Sequence, residues 1–106
     1  MLLFAMGINY AQSNLESVQR HDLVDSLKRQ YFQSNPKNLD LLVSLLQEEP
    51  NPDSMLKYGK ILFDESIKDS SNLMTFQGFL HLGNGHILKG ELSQGLEYYF
   101  EGLKYA

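Results

Sequence analysis

The chain has 106 residues, 42% of them hydrophobic and 21% charged, with a formal net charge of −4 and no cysteine. That size suits one small domain and excludes a multidomain enzyme with separate cofactor and substrate lobes, and the ordinary composition excludes wholesale disorder. Without a basic excess, nucleic acid is a poor partner; without cysteine, a disulfide scaffold, a zinc finger and a thiol nucleophile all fall away.

The first segment, Met1 to Ala11, reads MLLFAMGINYA, and no charge appears before Glu16. It is shorter than the ~20 apolar residues a bilayer span takes. Its length suits the apolar region of a secretory signal, and Ala11-Gln12-Ser13 puts small residues where a signal peptidase reads. A basic stretch should precede such a run, and here Met1 leads directly into Leu2. The competing reading is a short buried first helix. On the signal reading, residues 1–13 are removed and the chain is exported, periplasmic or facing outward from a membrane. If the segment stays in place, the chain is cytoplasmic.

Five helical stretches follow in chain order. A leading helix covers about 14–33, with Val24, Leu27 and Tyr31 stepping by three and four. A second begins after Ser34-Asn35-Pro36, where Asn35 can cap and Pro36 fits the first turn. It carries Leu39, Leu42, Val43 and Leu46 and stops before Pro50. A third opens on Asn51-Pro52-Asp53, the same cap-and-proline signal, and carries Leu56, Ile61, Leu62, Phe63 and Ile67. The break Asp69-Ser70-Ser71-Asn72 is rich in residues that bond their own backbone. A fourth helix covers about 73–88, Gly90 suits a helix end, and a fifth runs from about Ser93. No stretch alternates long enough to demand a strand, so the expected fold is all-α, built of antiparallel helical hairpins.

An internal repeat organises these helices. Leu56-Lys57-Tyr58 recurs as Leu96-Glu97-Tyr98, 40 positions on. At the same offset Leu39, Leu42, Val43 and Leu46 align with Phe79, Leu82, Gly83 and His86. Helix–turn–helix units at a fixed period signal a solenoid, in which each unit buries its face against the next. The hairpins therefore divide as 34–71 and 72–106.

The second unit resembles a tetratricopeptide repeat, whose pattern is Trp-x2-Leu-Gly-x2-Tyr followed by a small residue, an aromatic and a second small residue. Phe79 stands for the Trp, Leu82-Gly83 is unchanged, and His86 replaces the Tyr. Gly90 sits at the turn, Gly95 and Gly102 take the small positions, and Tyr99 takes the aromatic one. The family proline would fall just past Ala106, so this repeat is expected to be cut short. The first unit is degenerate, with Val43 at the glycine position and Met55 and Leu62 at the small ones. The resemblance covers about 34–106. It implies a right-handed superhelix of about two repeats behind a leading helix, similar to exported bacterial arrays that precede a histidine kinase, nucleotide cyclase or DNA-binding output.

The resemblance also implies a function: a scaffold or sensor segment that binds a peptide or partner protein in a concave groove lined by the first helices. Its positions here are Gln77, Leu80, Asn84, Ile87 and Leu88 in the second unit, and Lys37, Asp40, Ser44, Gln47 and Glu48 in the first. Leu80 stands where the family's carboxylate-clamp branch has a Lys, which argues against capture of a C-terminal carboxylate. Asn84 could hold a peptide backbone with donor and acceptor together. Tyr99 is expected inside, with Tyr98 and Phe100 left as an aromatic patch that favours self-association through the C-terminal hairpin. Glycine inside a helix costs roughly 0.5–1 kcal/mol against alanine, so Gly102→Ala is expected to raise the melting temperature and Gly83→Leu to disrupt the hairpin.

The residues offer no catalytic constellation, and neither an enzyme nor a cofactor is expected. His81 and His86 diverge by about 140° on a helix and cannot share a metal. His21 and Asp25 are four apart, but no third ligand is evident. Gly83-Asn84-Gly85 lacks the preceding strand and third glycine of a dinucleotide fingerprint. Glu48-Glu49 and Asp64-Glu65 are adjacent acids that diverge, and solvated faces are expected for both pairs.

Overall fold

The computed structural model describes the backbone from Leu2 onward and side chains from Glu16 onward, Ser17 excepted. The reading of residues 1–13 as a signal falls outside the described side chains. The chain is all-α: α1 is Leu2–Gln33, α2 Leu39–Glu48, α3 Pro52–Lys68, α4 Asn72–Leu88 and α5 Leu92–Leu103. Neighbours in sequence pack as neighbours in space, and the α3–α4 and α4–α5 pairs are the most extensive.

Side-chain caps punctuate the helices. Asn51 Oδ1 accepts the Ser54 amide at 3.1 Å, with Pro52 behind it in the first turn. Ser71 Oγ accepts the Met74 amide at 3.2 Å. Each such cap is worth about 1 kcal/mol. The start of α2 differs from the cap read at Asn35. Ser34 Oγ accepts the Asn38 amide at 3.0 Å, and Asn38 Oδ1 accepts the Asp40 amide at 3.0 Å. The cap is therefore Asn38, and Pro36 and Lys37 lie in the connecting loop. Both hairpin turns close through a left-handed residue, Ser70 at φ 55° and Gly90 at φ 82°. The Ser71 amide reaches back to Ser66 O and the Glu91 amide to His86 O. Gly90 meets the left-handed geometry freely, whereas Ser70 bears a cost of about 1–2 kcal/mol.

The apolar core lies where α1, α2 and α3 converge. Tyr31, Leu42, Leu45, Leu46, Tyr58 and Leu62 are buried together, with Leu27, Leu39 and Ile61 packed against them. Each buried leucine is worth roughly 1.5–3 kcal/mol. Glu49 is buried at the end of α2. Its Oε2 lies 3.3 Å from Lys28 Nζ of α1, and its Oε1 accepts the Asn51 amide at 3.1 Å. The solvated face expected for Glu48-Glu49 therefore holds only for Glu48, because Glu49 ties three elements together.

Helix α4 is apolar around most of its circumference because it is covered on two sides. Its approach to α3 runs along Thr75, Gly78, Leu82 and Gly85. A Cβ on Gly78 would stand 3.0 Å from Phe63 Cα, and one on Gly85 would stand 2.9 Å from Leu56 Cδ2. The Thr75 hydroxyl is buried in this seam, 2.9 Å from Ser66 Oγ and 2.8 Å from Ser71 O. Its approach to α5 runs along Phe79, Gly83 and Ile87. A Cβ on Gly83 would overlap the Tyr99 ring, and one on Gly95 would stand 2.9 Å from Gly83 O.

This packing reverses the expectation for Gly102. A Cβ there would stand 2.9 Å from Phe79 Cβ, an atom bonded directly to the backbone that cannot swing aside as a side-chain tip can. Gly102→Ala should lower stability by about 1–3 kcal/mol from overpacking, partly offset by the helix preference for alanine. Gly83→Ala should cost at least as much. Urea denaturation of the two variants checks this, and a Gly102→Ala variant more stable than the parent would show that α5 can retreat from Phe79.

Candidate functional site

The α4–α5 hairpin carries an open apolar groove of about 340 Å³ lined by Phe76 and Leu80 from α4 and Leu96, Tyr99, Phe100 and Leu103 from α5. The spacing of these residues accounts for it. Leu92, Leu96, Tyr99 and Leu103 recur at four, three and four, forming one stripe along α5, with Phe100 at its margin. The adjoining face of α5, with Gly95, Tyr98 and Gly102, is packed against α4. The stripe is left to solvent: Leu92 is 60% exposed, Leu96 40%, Leu103 61% and Phe100 66%.

The groove floor is held by a polar clip. The Tyr99 hydroxyl donates to Asn84 Oδ1 while its ring lies over Gly83. Asn84 thus spends its carbonyl inside the hairpin and does not hold that acceptor ready for a peptide backbone. Beside it, His86 stacks on Tyr98 with ring centroids 5.2 Å apart, and Phe79 stacks on Tyr105 at 5.8 Å. Tyr98 therefore packs within the hairpin, unlike the exposed position read for it, whereas Phe100 is exposed.

The ten positions read as a binding groove do not converge. Leu80 lines the apolar groove. Gln77 and Ile87 are half-buried, Ile87 over Gly95, and Leu88 is exposed. In the first unit Lys37 sits in the α1–α2 loop, its Nζ donating to Phe32 O and lying over the Tyr31 and Phe32 rings. Asp40 and Gln47 are exposed and Ser44 half-buried. Glu48 faces Arg20 at 3.9 Å across a shallow polar depression between α1 and α2. Of the repeat-signature residues, Leu82, Gly83, Gly95 and Gly102 are buried, and Phe79, His86 and Tyr99 are half-buried between α4 and α5. The residues missed in sequence are Phe76, Leu96 and Leu103. The stripe spacing on α5 was available to find Leu96 and Leu103, but only an uncovered α5 makes it a surface, and Phe76 lies on α4.

Among the described residues, no group of three or more His, Asp or Glu could hold a metal ion, and His21 and Asp25 are both exposed. No helix among them is long and apolar enough to cross a membrane. Lys89 pairs with Asp53 at 3.0 Å across the α3–α4 hairpin, and that hydrogen bond and charge hold its ammonium above its ordinary value. Burial pushes the Tyr31 hydroxyl up, with the Glu65 carboxylate adding to it. His81 is buried with no partner for Nε2, and burial holds its pKa below the ordinary value of 6.5.

This chain matches no family model, no curated protein and no solved structure.

His81 sets a pH dependence of stability. Its folded-state pKa is depressed, so below about 6.5 the unfolded chain takes up a proton that the folded chain refuses. Stability from this group is intact above 6.5 and falls as the pH drops below it, by at most about 1.4 kcal/mol per pH unit. Urea midpoints of the parent and of His81→Gln, compared between pH 7.5 and 5.5, should show the steeper loss in the parent. Equal losses would mean that His81 takes up its proton while folded.

Proposed function

We propose that this chain is a protein-interaction module, a tetratricopeptide-like helical array that binds a partner protein or peptide through the α4–α5 groove. One observation carries the reading: an apolar groove flanked by Leu96, Phe100 and Leu103, large side chains that a folded domain has no internal reason to leave in water. Such an arrangement suits helix-in-groove recognition, in which apolar anchors supply affinity and surrounding polar groups exclude water. The rigid α4 beneath it, locked to α3 and α5 by backbone-close packing, presents the groove preformed and so lowers the ordering cost of binding. On this reading the binding surface is the edge shared by α4 and α5 rather than the whole run of first-helix positions.

Peptides selected from a displayed random library on the full chain test this reading. Their affinity should fall at least tenfold on Phe100→Asp and on Leu103→Asp, exposed positions where substitution leaves the fold intact. Selected peptides that bind both variants as tightly as the parent would place recognition elsewhere.

A further inference from the structure

The internal repeat identifies what the groove is shaped to receive. At the 40-residue offset the α5 stripe Leu92, Leu96, Tyr99 and Leu103 corresponds to Pro52, Leu56, Gly59 and Phe63 of α3. Those α3 residues are half-buried or buried, and α4 covers them: Leu56 fits against Gly85, Gly59 against Leu82, and Phe63 against Gly78. The same positions are therefore covered by a helix in one unit and bare in the next. The groove wall is specific to the second unit, since Phe76 and Leu80 of α4 correspond to the exposed loop residue Pro36 and the exposed Asp40 of α2.

The chemistry of the covering helix can be read from α4. Large side chains of α3 project at Leu56 and Phe63, seven positions apart, and α4 meets them with Gly78 and Gly85, also seven apart, with Leu82 between. A methyl at either glycine would close to 3.0 Å or less on α3. On α5 the projecting residues are Leu96 and Leu103, again seven apart. Tyr99 takes the place of Gly59, but its ring is turned onto Gly83 and clipped to Asn84, so the groove stays open above it.

We propose that the α4–α5 groove receives an α-helix of a partner protein that carries glycine or alanine at two positions seven residues apart, with a large apolar residue between them. This specifies the occupant of the groove described above and rests on that reading. The small residues admit Leu96 and Leu103, and the large residue between them fills the space over Tyr99, as Leu82 does over Gly59. Selection is steric: a helix with bulky residues at both small positions is held off the groove.

The probe is a lactam-bridged helical peptide spanning residues 71–89, with terminal lysines for solubility, titrated into the full chain and followed by fluorescence anisotropy. Saturable binding is expected, weakened at least tenfold by Leu96→Asp or Leu103→Asp in the chain. A companion peptide with leucine at both glycine positions 78 and 85, equally helical by circular dichroism, is expected to bind at least tenfold more weakly. If the leucine peptide binds as tightly, the requirement for small residues is wrong while the groove remains a binding site. If the first peptide binds but both chain variants bind it unchanged, the groove reading fails with the proposal. If a helical probe does not bind at all, the proposal is overturned and the library selection still judges the groove. Sedimentation of the chain alone that shows a dimer broken by Leu96→Asp makes the occupant a second copy and overturns the assignment to a partner protein.

Discussion

The close approach of α4 to both of its neighbours is the constraint on which the rest depends. Helices whose facing positions are glycine pack backbone to side chain, and interiors as dense as organic crystals do not absorb an added methyl without displacement. Gly78 and Gly85 bring α3 in, while Gly83, Gly95 and Gly102 bring α5 in. Each of these glycines weakens a helix locally. Packing on two sides offsets that weakness, so the hairpin is stable as an assembled unit rather than as separate helices.

That packing generates the surface. With one side of α5 drawn against α4 through Gly95 and Gly102, its remaining apolar residues must point away, and they align as a single stripe. Tyr99 sits at the boundary: its ring satisfies the interior, its hydroxyl is satisfied by Asn84, and its outer edge becomes the floor of the groove. The first unit takes a different route. Its core is leucine-rich and fastened by the buried Glu49 carboxylate between Lys28 and the Asn51 amide, a charged tie that closes the α1–α2–α3 end. The α1–α2–α3 core is thereby held by side chains, and the α4–α5 seam by backbone proximity.

The helices were legible because their signals are local. Val24, Leu27 and Tyr31 have helical spacing, Asn51-Pro52 starts α3, and Gly90 ends α4, each by chemistry acting within a few residues. The error at α2 arose among competing local signals: Asn35-Pro36 and Asn38 both offer a cap, and the Ser34 hydroxyl, bonded to the Asn38 amide, decides for the later one. The ten positions expected to line a groove lie apart in the structure because a family pattern places residues on a helix without saying which neighbour covers them. Leu80 alone of the ten lines the apolar groove, while Ile87 lies over Gly95 and Asn84 is engaged by Tyr99.

Apolar periodicity and cap residues determined by themselves an all-α chain of short-linked helices, and the 40-residue offset marked which segments correspond. Capping and periodicity are properties of neighbouring residues, so they survive without a structure. Distances between helices do not. Whether Gly102 has room for a methyl, whether Glu49 meets water or Lys28, and whether the α5 stripe is core or surface depend on how near a second helix stands. Only the tertiary structure decided those, because close packing is a property of pairs of surfaces and leaves no mark in the spacing of either one alone.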